Sequence, residues 1–166
     1  MESIKLTIDG KEVTVSKGVT VLEACRQAGA YVPYLCWHPL LKPFGACRVC
    51  VVEIDATRGL PTSCTTTVSD GMVVRTQSDE LTSLRKDVVN LTLSEHPHGC
   101  LTCHRISHCG PADICLRNVS VTDRCVICPQ NERCELQDVV FHLGMGSGTS
   151  VPFPYTYKKI PLEVSN

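Results

Sequence analysis

Three CxxC pairs in one short chain, Cys47/Cys50, Cys100/Cys103 and Cys125/Cys128, limit its folding options more than any other feature. Each pair can place two thiolates on one metal centre. The last two pairs open runs of the same spacing, CLTCHRISHC and CVICPQNERC, and Cys115 stands alone between them. Seven of the twelve cysteines fall between residues 100 and 134, whereas a packed core would spread them out. The opening MESIKLTIDGKEVTVS has no apolar stretch of the signal-peptide kind, and nowhere do eighteen apolar residues run together, so a cytoplasmic protein without direct membrane insertion is expected. In a reducing compartment a disulfide framework is disfavoured, which leaves metal binding. Sixteen Lys and Arg against seventeen Asp and Glu, with no basic stripe, argue against a nucleic-acid partner.

The first part of the chain has strand periodicity. Ile4, Leu6 and Ile8 alternate with polar residues, Asp9-Gly10 is a hairpin turn, and Val13 and Val15 return. Thr20 and Glu23 form a capping box for a short helix closed by Gly29. Residues 49–55 and 72–76 read as two more strands, giving a small mixed sheet on one helix. Leu81, Leu84, Val88 and Leu91 then follow helical spacing, predicting a helix from a Ser or Asp cap near 78 that ends before Pro97. Residues 96–134 hold few large apolar side chains, and bound metal would offset their ordering entropy. A last helix is expected over 135–144. The expected divisions are 1–78, 79–145 and an extended C-terminal arm over 146–166, whose Tyr155–Pro161 stretch suits docking on a partner.

Cys36, Cys47, Cys50 and Cys64 supply the four thiolates of a [2Fe–2S] rhomb, two per iron. Gly45-Ala46 before Cys47 lets backbone N–H groups turn toward sulfur, and Arg48 adds positive charge nearby. A structural zinc site is the plainer alternative, but zinc ribbons pair two knuckles, and here Cys36 and Cys64 stand alone. Cys25, inside the first helix, reads as a buried small hydrophobe.

Seven cysteines remain where two four-ligand clusters need eight ligands, and His96, four residues before Cys100, completes the count. Taken in order, the sets are His96/Cys100/Cys103/Cys109 and Cys115/Cys125/Cys128/Cys134. Exchange of Cys109 with Cys134 or with Cys115 stays open, because ferredoxin runs commonly lend their last cysteine to the other cluster. His98 competes with His96, while His104, His108 and His142 read as solvated or supporting groups. One imidazole in place of a thiolate makes a centre less negative and raises its potential. No catalytic constellation is legible.

TVLEACRQAGAYVPYLCWHPL, GACRVCVVEI and PTSC resemble the [2Fe–2S] domain that opens the large iron–sulfur subunit of respiratory NADH dehydrogenase (complex I), the diaphorase iron–sulfur subunit of NAD-reducing hydrogenases, and [FeFe]-hydrogenases. EHPHGCLTC and CELQDVVFHLG resemble the two ends of their histidine- and cysteine-ligated [4Fe–4S] motif. The resemblance implies an α+β architecture: a β-grasp [2Fe–2S] ferredoxin domain with Cys36, Cys47, Cys50 and Cys64 as ligands, then a small, cysteine-rich, mostly helical and loop [4Fe–4S] domain using His96, Cys100 and Cys103. In the usual motif the last cysteine is followed at once by ELQ. Here Cys109 has the spacing and Cys134 has the ELQ, as though some twenty-five residues had been inserted or duplicated.

The expected function is an electron-transfer subunit of a multi-subunit oxidoreductase of NADH dehydrogenase, hydrogenase or formate dehydrogenase type. It would carry one [2Fe–2S] and two [4Fe–4S] clusters between a flavin- or NAD(H)-binding subunit and a further redox or catalytic subunit. A freestanding ferredoxin-like carrier and a zinc-stabilised interaction module are the alternatives, the first disfavoured by near-zero net charge.

Overall fold

The structure, a computed structural model, describes residues 3–96, 99–115 and 124–145. Strands β1 (Ser3–Ile8) and β2 (Lys11–Ser16) form the expected antiparallel hairpin, with Asp9 and Gly10 both at positive φ in its two-residue turn. Helix α1 (Val21–Gln27) starts at Thr20, whose hydroxyl accepts from the Glu23 N–H while the Glu23 carboxylate accepts from the Thr20 N–H. Strands β3 (Glu53–Ile54) and β4 (Val73–Arg75) complete a mixed four-stranded sheet of order β2-β1-β4-β3. β4 runs parallel to β1 and antiparallel to β3. Asp9 locks the parallel pair, its carboxylate accepting from the Thr76 N–H at 2.7 Å and the Thr76 hydroxyl at 2.6 Å.

The inward faces of β1 and β2 (Ile4, Leu6, Ile8, Val15) meet Val21, Leu22 and Cys25 of α1 in one apolar cluster, which also takes in Cys50 and Cys64. The expected strand over 49–55 is cut to Glu53–Ile54 plus an isolated bridge between Val51 and Thr62. The preceding backbone bonds to a turn instead: the Val52 N–H reaches Pro61 O and the Ser63 N–H reaches Cys50 O, both at 3.0 Å. That exchange of ladder for turn keeps Cys50 and Cys64 on adjoining segments.

Helix α2 (Asp79–Ser94) has the expected Ser78 cap and length, but its buried stripe is Leu81, Arg85, Val89 and Leu93. The stripe expected from Leu84, Val88 and Leu91 is displaced, and Leu91 lies exposed. The cause is Arg85, almost wholly buried, whose guanidinium donates to Thr76 O at 3.0 Å and Val51 O at 2.7 Å. An i, i+4 row through an arginine is invisible to an apolar pattern, yet here it satisfies two carbonyls that the shortened strand leaves over.

Helix α3 (Glu135–His142) follows Cys134 directly and packs Leu136, Val139 and Val140 with Val89, Leu93 and Leu101. Val49, from the first cysteine loop, is buried in this same second cluster, so the two cysteine regions share apolar contacts. Between α2 and α3 the described backbone is turns and two single 3-10 turns, Ile106–His108 and Cys125–Ile127. No helix among the described residues is long and apolar enough to cross a membrane. The 146–166 arm lies outside the described residues.

Replacing Arg85 with Met should orphan the carbonyls of Thr76 and Val51, at about 1–3 kcal/mol each. The expected result is a thermal midpoint lowered by roughly 10 °C in a chain of this size; a midpoint unchanged within error would remove Arg85 from the scaffold.

Candidate metal centres

Cys36, Cys47, Cys50 and Cys64 come together from three places along the chain. Cys36 is fixed by its neighbour Trp37, which is buried against Tyr34, with the Arg26 guanidinium 4.7 Å from the indole centroid. Cys47 and Cys50 lie on the loop that Gly45 and Arg48, both at positive φ, bend around. Cys64 sits in the 62–66 turn, which α1 holds from behind through Val21 N–H to Thr66 O (2.8 Å) and Leu22 N–H to Ser63 O (3.0 Å).

The thiols associate in two pairs. The Cys47 N–H donates to Cys36 Sγ at 3.4 Å, and the two side chains also bond to each other. Cys50 and Cys64 form the second hydrogen-bonded pair. This is the two-plus-two division a [2Fe–2S] rhomb requires. Among the described residues no three His, Cys, Asp or Glu side chains gather as they would around a single metal ion.

Electrostatics set Cys47 apart from Cys36 and Cys64. Burial pushes the Cys64 thiol up to about 12, with the neighbouring Cys50 thiol adding to the effect. Burial also pushes Cys47 upward, but N–H groups of Val49 and Leu35 aimed at its sulfur bring it below the ordinary thiol value. At Cys36, burial prevails over the N–H bonds of Cys47 and Ala46, and the thiol is raised. Backbone N–H groups directed at sulfur stabilise negative charge there, which is what a reduced iron–sulfur centre needs, so these residues fit the cluster. The Arg48 guanidinium reaches outward to Leu60 O at 3.4 Å. The cation that sequence reasoning missed is Arg85, buried and electrostatically coupled to Cys50. Its signal was a charged residue four positions from Leu81 and from Val89 on a helix with an otherwise apolar row.

Cys25 is fully buried, with its thiol raised to about 12 by burial first and by Asp9 second. It faces the core as expected. Alkylation of the folded protein by iodoacetamide at pH 8 should therefore leave Cys25 unmodified, and Cys25→Ala should bind as much iron as the parent chain; labelling of Cys25 or loss of iron would contradict this.

Gly45 has the least room to change. A Cβ there would stand 3.2 Å from Thr62 Oγ1 and 3.3 Å from Thr65 Cγ2, at a φ of +68°. Gly45→Ala should cost about 1–3 kcal/mol and speed the loss of bound iron to a chelator several-fold. An unchanged release rate would show that the loop does not depend on this close approach.

The remaining candidates line two cavities beyond α2. One, of about 330 Å³, has His96, Cys125, Cys128 and Cys134 on its wall. The other, about 30 Å³, has Cys100, Cys103, Cys109 and Cys115. The cavities meet where the thiols of Cys100 and Cys125 hydrogen-bond, which pulls Cys100 down to about 6 and raises Cys125. His104 and His108 are exposed, and His142 packs edge-on against Tyr31 at 4.4 Å. His98 lies outside the described residues.

Comparison with known proteins agrees with the geometry of the first constellation. Residues 1–79 match the family described as 2Fe-2S iron-sulfur cluster binding domain. The chain is 42% identical over 112 residues to the alpha subunit of NADPH-Fe(3+) oxidoreductase from Geobacter sulfurreducens, covering 68% of this chain and 13% of that protein. It is 36% identical over 144 residues to an NADH-quinone oxidoreductase subunit of Rickettsia typhi, covering 87% of this chain and 18% of the relative. The chain thus spans less than a fifth of the length of these curated relatives. Among solved structures it is similar to an NAD+-reducing [NiFe]-hydrogenase in the H2-reduced state, with a TM-score of 0.62, 30% identity, and coverage of 92% of this chain and 53% of that one. Residues 1–79 are therefore similar to the 2Fe-2S iron–sulfur cluster binding domain family, and most of the chain is similar to part of these NADH-quinone and NADPH-Fe(3+) oxidoreductase subunits.

Proposed function

We propose that the chain is an electron-transfer unit of a multi-subunit oxidoreductase, holding one [2Fe–2S] cluster on Cys36, Cys47, Cys50 and Cys64 and two [4Fe–4S] clusters on His96 and the seven cysteines from Cys100 to Cys134. The observation that carries the reading is the two-plus-two thiol array inside a matched 2Fe-2S domain, with N–H groups turned onto Cys36 and Cys47. When bound, such clusters take up and release single electrons. The protein's own part is to hold the sulfurs, set their charge environment and control their exposure.

The two thiol pairs differ in all three respects. Cys50 and Cys64 are buried, with the Arg85 charge acting on Cys50, whereas Cys36 and Cys47 are partly exposed. Leu40, Leu41 and Phe44 stand exposed on the loop between Cys36 and Cys47, and a redox partner would approach there, where the sulfurs come nearest the surface. On the inner side Cys47 packs against the second apolar cluster, which Cys125 and Cys134 also touch. That shared cluster supports a relay from the outer [2Fe–2S] edge toward the cubane sites. A flavin- or NAD(H)-binding subunit and a further redox subunit are the partners proposed, in keeping with the NADH, NADPH and NAD+ chemistry for which the similar proteins are named. The divisions 1–78 and 79–145 serve as two cluster-holding parts sharing one seam at Val49.

Anaerobic purification tests this directly. The protein should be brown and carry about ten irons with matching acid-labile sulfide. About two irons would confine the function to the first domain, and a colourless protein with stoichiometric zinc would overturn it.

A further inference from the structure

The two cysteine runs need not be filled in the order in which the chain presents them. We infer that residues 99–115 form a self-contained, all-cysteine [4Fe–4S] site on Cys100, Cys103, Cys109 and Cys115, and that His96 passes over this segment to complete a separate site with Cys125, Cys128 and Cys134. The inference rests on the reading of these eight residues as cluster ligands, and it goes beyond that reading by assigning each to a centre.

The geometry divides the eight four and four. Each cavity is lined by the three cysteines of one CxxCxxxxxC run and by one outlying candidate, and none of the eight lines both. The first run takes its fourth ligand from its own C-terminal side, Cys115. The second takes its fourth from the end of α2, where the His96 N–H bonds to Leu93 O at 3.2 Å.

Each unit has hydrogen bonds of its own, while the Cys100–Cys125 thiol contact and Arg124 join the two. In the first, the Cys103 N–H bonds to Cys100 O at 3.0 Å and the Cys109 N–H to Ile106 O at 3.3 Å. The Asp113 carboxylate accepts from the Gly110 N–H at 2.6 Å, bending the chain so that Cys115 returns to Cys109. Arg124 then ties that loop down, donating to Asp113 O at 2.5 Å and Pro111 O at 3.2 Å. In the second unit the Cys128 N–H bonds to Cys125 O at 2.9 Å. Gln137 of α3 holds the loop before Cys134, donating to Asn131 Oδ1 at 2.9 Å and accepting from the Glu132 N–H at 3.1 Å.

The sequence carries the same message once the grouping is visible. Removing residues 100–124 joins Gly99 to Cys125 and leaves HPHGCVICPQNERCELQ, with the histidine again four residues before a CxxCxxxxxC run and the ELQ in place. The inserted segment is thus a complete thiolate set rather than a fragment of one. Four thiolates with no imidazole make its centre more negative than the neighbouring one, so it should have the lower potential. Its cavity is tight, and loading requires its turns to part, which a segment with only a single 3-10 turn permits.

The test uses the full chain, purified anaerobically, with iron, zinc and sulfide quantified and imidazole nitrogen hyperfine coupling read by pulsed EPR after dithionite reduction. The parent protein should hold about ten irons and show the nitrogen coupling. The double variant Cys109→Ala/Cys115→Ala should lose about four irons and keep the coupling, whereas Cys128→Ala/Cys134→Ala should lose about four and lose the coupling. Loss of the coupling in the first variant, or its survival in the second, overturns the partition while leaving the cluster reading intact. About two irons in the parent chain overturns both, and zinc in place of four irons overturns the all-cysteine cubane. Should a double variant not fold, the deletion of residues 100–124 decides: retained coupling with about six irons supports the partition, and lost coupling refutes it.

Discussion

Thiolates cannot be crowded together in a partly buried space without a countercharge, and that constraint organises this chain. Cys64 is pushed up by burial and then by a neighbouring thiol, and Cys125 by a neighbouring thiol and then by burial, because a second negative sulfur at such a position is costly. Backbone N–H groups relieve part of the cost at Cys47. On the proposed function, metal would remove the rest, since binding releases the thiol protons and couples the site's formation to folding.

The scaffold holds the gathered sulfurs firmly on one side and leaves them sensitive on the other. Around Cys50 and Cys64 the sheet, α1 and the 61–66 turn form a continuous hydrogen-bonded frame, and Ser63 adds a buried hydroxyl bond to Cys50 O at 2.7 Å. Arg85 is the bolt between that frame and α2, placing positive charge near a thiol pair while satisfying two carbonyls. Val49 and Cys47 face the other way, into the cluster that α2 and α3 build with Leu101. One short loop therefore belongs to both halves, and a change at either end of it reaches both candidate metal regions.

Local chemistry made the hairpin, the Thr20–Glu23 capping box and the Ser78 cap legible, because each rests on residues three or fewer positions apart. The lengths of α2 and α3 were legible for the same reason. The strand over 49–55 was misread since its β-branched run, VCVVEI, signals pairing without saying that the 61–63 turn would capture the first half. The buried face of α2 was misread because Arg85 occupies a position that hydropathy assigns to solvent. Of the site, the four residues of the first constellation were legible from their spacing. Which of the later candidates share a cavity was not, because two runs of identical spacing offer His96 two possible sets of partners and the chain order does not choose between them.

The central claim is that this fold brings eleven of its cysteines to three places, the first divided into two thiol pairs and the other two in contact through Cys100 and Cys125. Anomalous diffraction from a crystal of the anaerobically purified chain, recorded at the iron absorption edge, tests it most directly. The account requires an iron pair bridging Cys36/Cys47 and Cys50/Cys64, and two compact groups of about four irons each flanking the Cys100–Cys125 contact. Iron signal confined to a single site, or centred on Cys25, would contradict it.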